Sequence, residues 1–128
     1  MPTNRRLALS TIDVGDIFNA DTPFGGTVIC LTLIVTASSI RARDICRQGE
    51  LLDFDRQTGV ALWPGSEIGT TCTITSIAPL PADVHEALLG LDRKYNRGRP
   101  LTTEEQKLTE AEKKAFVFVY DYHATNRI

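Results

Sequence analysis

The chain has 128 residues, of which 42 % are hydrophobic and 23 % are charged, proportions typical of one globular domain rather than a disordered chain. Its formal net charge of -2 excludes a polybasic protein that coats nucleic acid through bulk charge. The longest apolar run, residues 27–37, is too short to cross a bilayer. We therefore expect a protein that has no contact with a membrane.

The chain contains three cysteines, an odd number without Cys-x-x-Cys spacing: Cys30, Cys46 and Cys72. At least one thiol must therefore be free, which fits a reducing cytoplasm better than a secreted protein. Each cysteine lies in an apolar or alternating segment, so we expect buried, unreactive thiols and a cytoplasmic location.

After a short polar leader, residues 12–78 are rich in β-branched and apolar residues separated by turn signals. The predicted strands cover residues 14–18, 27–36, 38–46, 51–55 and 71–77. Residues 27–36 are apolar on both faces, which is typical of a central, well-covered strand. Residues 56–59 predict a tight turn, and residues 63–69 predict a loop that carries Trp63.

The segment Arg47-Gln48-Gly49 predicts a three-residue hairpin loop with glycine in the left-handed conformation. This loop length sets the register of the hairpin on either side of it. The expected cross-strand pairs are Arg43–Asp53, Arg41–Asp55 and Ala42–Phe54. Opposite charges would then face each other on one side of the hairpin, and apolar residues on the other.

From Pro79 onward the hydrophobic period becomes helical. Val84, Leu88, Leu91 and Tyr95 form one apolar stripe, and Gly98 is placed to end that first helix. A capping box at Thr102 and Glu105 predicts a second helix from about residue 102 to residue 124. Residues 116–122 taken alone also alternate like a strand, but the strong helix formers before them favour a continuous helix.

These patterns predict an α+β fold within a single domain of residues 1–128. A small, partly open antiparallel barrel or curled sheet over residues 12–78 is followed by a helical hairpin over residues 80–126. The strand opening Val14-Gly15-Asp16, the long second strand and the tight later hairpins resemble an SH3-like barrel. Such a resemblance bears on the fold and leaves the function open.

No catalytic signature is present, and we expect a non-enzymatic binding or regulatory protein. It would act through a protein partner or as a homodimer, because residues 116–122 are apolar over more than one helical stripe. Trp63 in its loop is a candidate anchor, since tryptophan is enriched at binding hot spots. The candidate interface residues are Trp63, Phe116, Val119, Tyr120 and His123. The alternatives are an intramolecular core for the helix and a lid over the barrel for Trp63.

A second hypothesis is an accessory module that binds nucleic acid. Its candidate contacts are Arg93, Lys94, Arg97 and Arg99, joined by Arg41 and Arg43 if these lie on the same side. Clustered cations could bind the phosphates of a nucleic acid. The alternative is structural. Cations at a helix C-terminus are stabilised by the helix dipole and bind the last carbonyl groups of the helix.

A third hypothesis is a small hydrolase that uses Asp53 and Asp55, two carboxylates on one side of a strand. Arginines opposite would instead hold both carboxylates ionised as structural ion pairs. The only histidines, His85 and His123, have no established metal spacing. We therefore expect no metal site and no cofactor.

Overall fold

The structure is a computed structural model that describes residues 2–45, 50–62, 69–98 and 100–128. Within these ranges the fold is α+β, with one helix before the strands and two after them. The elements are α1 (Pro2–Ser10), β1 (Ile17–Asp21), β2 (Thr27–Val35), β3 (Ser39–Asp44), β4 (Leu51–Asp55), β5 (Val60–Leu62), β6 (Thr71–Ser76), α2 (Ala82–Tyr95) and α3 (Glu110–Thr125).

The strands form one antiparallel sheet in the order β4-β3-β2-β1-β6-β5. The two end strands, β4 and β5, are joined by the turn at residues 56–59 and contact each other. The sheet therefore curls into a nearly closed, barrel-like shape. The predicted combination of a curled antiparallel sheet and C-terminal helices is confirmed.

One face of each strand points into the barrel. Phe18 and Phe54 form an edge-to-face pair there with ring centroids 5.3 Å apart. The other buried residues of this interior core include Ala20, Val28, Cys30, Ile40, Ala42, Leu52, Ala61, Cys72 and Ile74. Leu9 of α1 and Ile12 just after it belong to the same core. Helix α1 therefore completes the barrel interior.

Helix α1 was not predicted, because the residues before the first strand were described only as a short polar leader. Two arginines hold this helix against the barrel. Arg5 donates to the carbonyl of Ile74 at 2.7 Å, and Arg56 donates to the carbonyl of Ser10 at 2.8 Å. Arg56 thereby satisfies a carbonyl at the C-terminal end of α1, where helical carbonyls lack partners. These tertiary contacts explain how so short a helix is stable.

The opposite face of the sheet carries a second core. Ile17 and Ile29, which follow the period-two alternation of β1 and β2, pack outward against both C-terminal helices. Their fully buried partners on those helices are Leu88, Leu91, Ala115 and Val119. The sheet therefore packs on both of its faces, with Leu9 of α1 in the interior core and the α2–α3 hairpin against the outer core.

The first strand begins three residues later than predicted. Val14 is 60 % exposed, because residues 13–16 form a turn in which Gly15 has a φ of +93°. The carboxylate of Asp16 accepts the amide N–H of Asp13 at 2.8 Å and closes this turn. β5 was not predicted at all, since three residues are too few to show a period.

The register of the β3–β4 hairpin differs from the prediction by two residues. Arg41 lies opposite Asp53, and Arg43 lies opposite Leu51, so the predicted pairs Arg43–Asp53, Arg41–Asp55 and Ala42–Phe54 are wrong. A shift of two residues keeps every side chain on its predicted face, because strand side chains alternate with period two. The loop residues 46–49 lie outside the described residues.

The last helix begins at Glu110, eight residues after the predicted start. The capping-box bonds at Thr102 and Glu105 do form, at 3.0 and 3.2 Å, but they close an isolated turn. Glu105 also binds Arg97 at the end of α2, which holds that turn against α2. A second capping box, Thr109 with Glu112, begins α3. The predicted helical conformation of residues 116–122 is confirmed.

Candidate protein-binding surface

The inner stripe of α3 packs on the sheet and on the linker that follows β6. Val119 is fully buried and His123 is 2 % exposed, so neither lies on the surface where the sequence placed a candidate interface. They follow Ala115 at intervals of four residues and therefore share its inward face. Phe116 is half-buried and packs against the outer core. Val119 and His123 are therefore buried within this chain, and Phe116 is partly covered by it.

His123 fixes α3 to the linker of residues 77–80. Its Nε2 lies 3.2 Å from the carbonyl oxygen of Ala78. Burial lowers the pKa of His123, and the hydrogen bond to Ala78 opposes that shift only in part. The imidazole is therefore neutral at pH 7 and donates from Nε2, which leaves Nδ1 without a partner in the described structure.

On the opposite side of α3, apolar side chains are not covered by the described residues. Val117 is 64 % exposed and Tyr120 is 47 % exposed. Beside them, the rings of Phe118 and Tyr122 are half-buried and stack with centroids 5.2 Å apart. Contiguous exposed apolar patches mark interaction sites more often than single exposed apolar residues do.

Charged side chains lie at the two ends of this stripe. Lys114 precedes Val117 by one turn, and Asp121 follows it by one turn. Both are exposed, and neither forms an ion pair with another described residue. We name the surface formed by Lys114, Val117, Tyr120, Asp121 and Ala124 the outer strip of α3. Its spacing of three and four residues is visible in the sequence, although only the structure shows which stripe the sheet covers.

Trp63, the remaining candidate interface residue, lies outside the described residues. Leu62 directly before it ends β5 and is 68 % exposed.

The cations proposed to bind nucleic acid are held by carboxylates. The pairs are Arg41–Asp53, Arg43–Asp92, Arg93–Glu86, Lys94–Glu112 and Arg97–Glu105. The guanidinium of Arg97 holds the pKa of Glu105 well below its usual range. Lys94 and Arg97 thus join α2 to the segments that follow it, and Arg99 lies outside the described residues. Binding of nucleic acid through this segment stays a prediction, and the geometry gives it no unpaired cationic cluster within the described residues.

The carboxylates proposed for hydrolysis have structural partners, Asp53 across the β3–β4 pair and Asp55 in the turn between β4 and β5. Asp53 accepts from Arg41 at 2.8 Å. Asp55 accepts the amide N–H groups of Thr58 and Gln57 at 3.0 and 2.8 Å, and these bonds lower the pKa of Asp55. Among the described residues, no group of three or more His, Cys, Asp or Glu side chains is placed to hold a metal ion.

The two described cysteines are fully buried in the barrel interior. Burial raises the pKa of the Cys72 thiol to about 12, with a smaller contribution from the carboxylates of Asp21 and Asp44. The thiolate is the nucleophilic form, so Cys72 is unreactive at neutral pH.

In a Cys46→Ser variant, we therefore expect no thiol to react with a disulfide reagent at pH 8 while the protein is folded. Both remaining thiols should react in denaturant, because unfolding exposes them and restores an ordinary pKa. Absorbance of the released chromophore measures the count. Rapid reaction of one thiol in the native protein would contradict the burial of Cys30 and Cys72.

Comparison with protein-family models, with curated proteins and with solved structures finds no match for this chain. Among the described residues, no helix is both long and apolar enough to cross a membrane. Information about function therefore comes from the surfaces of the chain itself.

Proposed function

We propose that this chain is a non-enzymatic binding protein that assembles with a second copy of itself through the outer strip of α3. One observation carries the proposal. α3 has two apolar stripes, and the sheet uses only the inner one, so Val117 and Tyr120 remain exposed. A second copy is the occupant we favour because the strip is complementary to itself.

Closed homodimers use the same patch on both subunits. Each contact between residue i of one copy and residue j of the other therefore occurs a second time, with the two copies exchanged. In an antiparallel pairing of two α3 helices about a two-fold axis near Val117, Lys114 lies opposite Asp121 of the second copy. The same contact occurs twice. Lys114 and Asp121 lie on the same flank of the strip, as this symmetry requires, and both are free of other ion pairs within the described structure.

Replacing Lys114 with Glu should weaken the dimer by about tenfold, because two carboxylates would then face each other at both contacts. Asp121→Lys should weaken it to a similar degree by placing two ammonium groups together. The double variant exchanges the charges and should recover the wild-type affinity. Sedimentation velocity over a concentration series measures all three constants.

Lys107→Glu is the matched control, since it makes the same charge change at an exposed residue that precedes α3 and lies outside the outer strip of α3. It should leave the dimer unchanged. If the double variant associates no better than either single variant, the antiparallel pairing is wrong. If the single variants behave like the control, the outer strip is not the interface.

On the same footing we propose that the sheet is an SH3-like barrel. The meander of β1, β2 and β3 and the return of β6 to the free side of β1 support it. A regulatory role and a cytoplasmic location are also proposals. The buried Cys72 thiol, which forms no disulfide, supports the location, because disulfides are rare in that compartment.

A further inference from the structure

A cleft of about 720 Å³ lies where the N-terminal helix, the linker after β6 and the C-terminal segment meet. This volume is in the range of sites for small molecules, roughly 300 to 1,000 Å³. The outer strip of α3 is not among the residues that line it. The cleft is therefore a second feature, independent of the proposed dimer surface.

The floor of the cleft is aliphatic. Ile12 comes from the interior core and Ile17 from the outer core, so the floor spans the boundary between the two. Ile77 and Leu80 of the linker complete it. Binding sites for small molecules share this composition, with an apolar lining and a few polar groups that set orientation.

Hydrogen bonds hold the walls in place. The amide N–H of Ile128 donates to the carbonyl of Thr75 at 2.9 Å, and the hydroxyl of Ser76 donates to the carbonyl of Asn126 at 2.9 Å. Thr75 lies at a bulge in the β1–β6 pairing, where it is out of register with β1, and its hydroxyl donates to the carbonyl of Asn19. A wall that is already ordered avoids an entropic cost on binding.

Three charged or titratable side chains line the cleft: Asp16, His85 and Arg127. Asp16 already accepts the amide of Asp13, whereas the half-buried His85 has no side-chain hydrogen bond to the described residues. Arg127 contacts Asp21 through a single nitrogen at 3.1 Å, and both side chains are about half exposed. A guanidinium has five donors, so most of those on Arg127 remain available. His85 and Arg127 therefore supply uncommitted hydrogen-bond donors, and the second carboxylate oxygen of Asp16 is an acceptor without a partner among the described residues.

We propose that this cleft binds an amphipathic organic anion, a carboxylate or sulfonate attached to an apolar body. The apolar body lies against Ile12, Ile77 and Leu80, and the anionic group accepts hydrogen bonds from His85 and Arg127. A carboxylate on Arg127 can form a charge-assisted bidentate pair, which gives the site its preference for anions.

Amide shifts in a heteronuclear NMR titration test the proposal, with octanoate as the probe. Octylammonium and octan-1-ol are matched probes with the same chain and a different charge. We expect saturable octanoate shifts at Ala78, Leu80, His85 and Ile128, and affinity for octylammonium lower by at least about tenfold. Equal affinity for the three probes, no saturable binding, or shifts confined to α3 would each overturn the proposal.

The variant His85→Gln/Arg127→Gln should weaken octanoate binding at least about fivefold and leave octan-1-ol binding unchanged. Arg93→Gln is the matched control, since Arg93 is exposed on α2 and lies outside the cleft. Unchanged octanoate affinity in the double variant would overturn the role of the two donors. The mass of the protein in solution is a separate readout, so failure of the dimer and failure of this site are distinguishable.

Discussion

Arg43→Met should lower the free energy of unfolding by about 2 to 3 kcal/mol, whereas Arg41→Met should leave it nearly unchanged. Both arginines are on β3, two residues apart, and each binds one aspartate through two nitrogens. The difference is burial. Asp92 is 3 % exposed, so removal of Arg43 leaves a carboxylate without its cation inside the protein. Asp53 is more than half exposed, and water replaces its partner.

Urea denaturation monitored by circular dichroism measures both changes. Methionine keeps most of the aliphatic stem of the arginine, so the comparison isolates the ion pair. The double variant Arg43→Met/Asp92→Leu should be more stable than Arg43→Met alone, because no buried charge is left unpaired. Equal losses at Arg41 and Arg43 would contradict the packing of α2 on β3.

Leu9→Ala should lower the free energy of unfolding by about 3 kcal/mol, because the leucine is fully buried in the interior core of the barrel. Leu7→Ala is the control, since Leu7 is on the same helix and 63 % exposed. It should change the stability by no more than about 0.5 kcal/mol. The helix propensity changes equally in both variants, so the difference reports burial alone.

Thermal unfolding gives the same ranking without denaturant. A loss at Leu9 as small as that at Leu7 would show that α1 is not part of the barrel core.

The β-rich segment was predictable because strands carry their own period. Residues 52–55 alternate between apolar and charged side chains, and the structure places β4 over Leu51–Asp55, as predicted. The register was not predictable from the loop Arg47-Gln48-Gly49, because the partner that decides it is remote. Arg43 binds Asp92, a residue of α2, and no local rule of hairpin geometry contains that contact.

The helix boundaries show the same limit. Two capping boxes occur within ten residues of each other, Thr102 with Glu105 and Thr109 with Glu112. The residues within each capping box do not show which of the two begins the helix. α1 was missed for a related reason. Leu9 is its one described residue in the interior core, and hydrogen bonds to distant segments hold the helix, from Arg5 to Ile74 and from Arg56 to Ser10.

The sequence predicted that the last helix carries more apolar residues than one stripe needs. It did not predict which of these residues are exposed. Phe116, Val119 and His123 belong to the inner side of α3, whereas Val117, Tyr120, Lys114 and Asp121 belong to the outer side. The choice between these stripes depends on which one the sheet covers. That is a property of packing between distant parts of the chain.

Sedimentation equilibrium of the wild-type protein tests self-association through α3 most directly, over a range from about 1 to about 500 µM. We predict a reversible transition from the mass of one chain, 14.1 kDa, to twice that mass, with a midpoint in the micromolar range and abolished by Tyr120→Asp. A single chain at every concentration would contradict the proposed dimer.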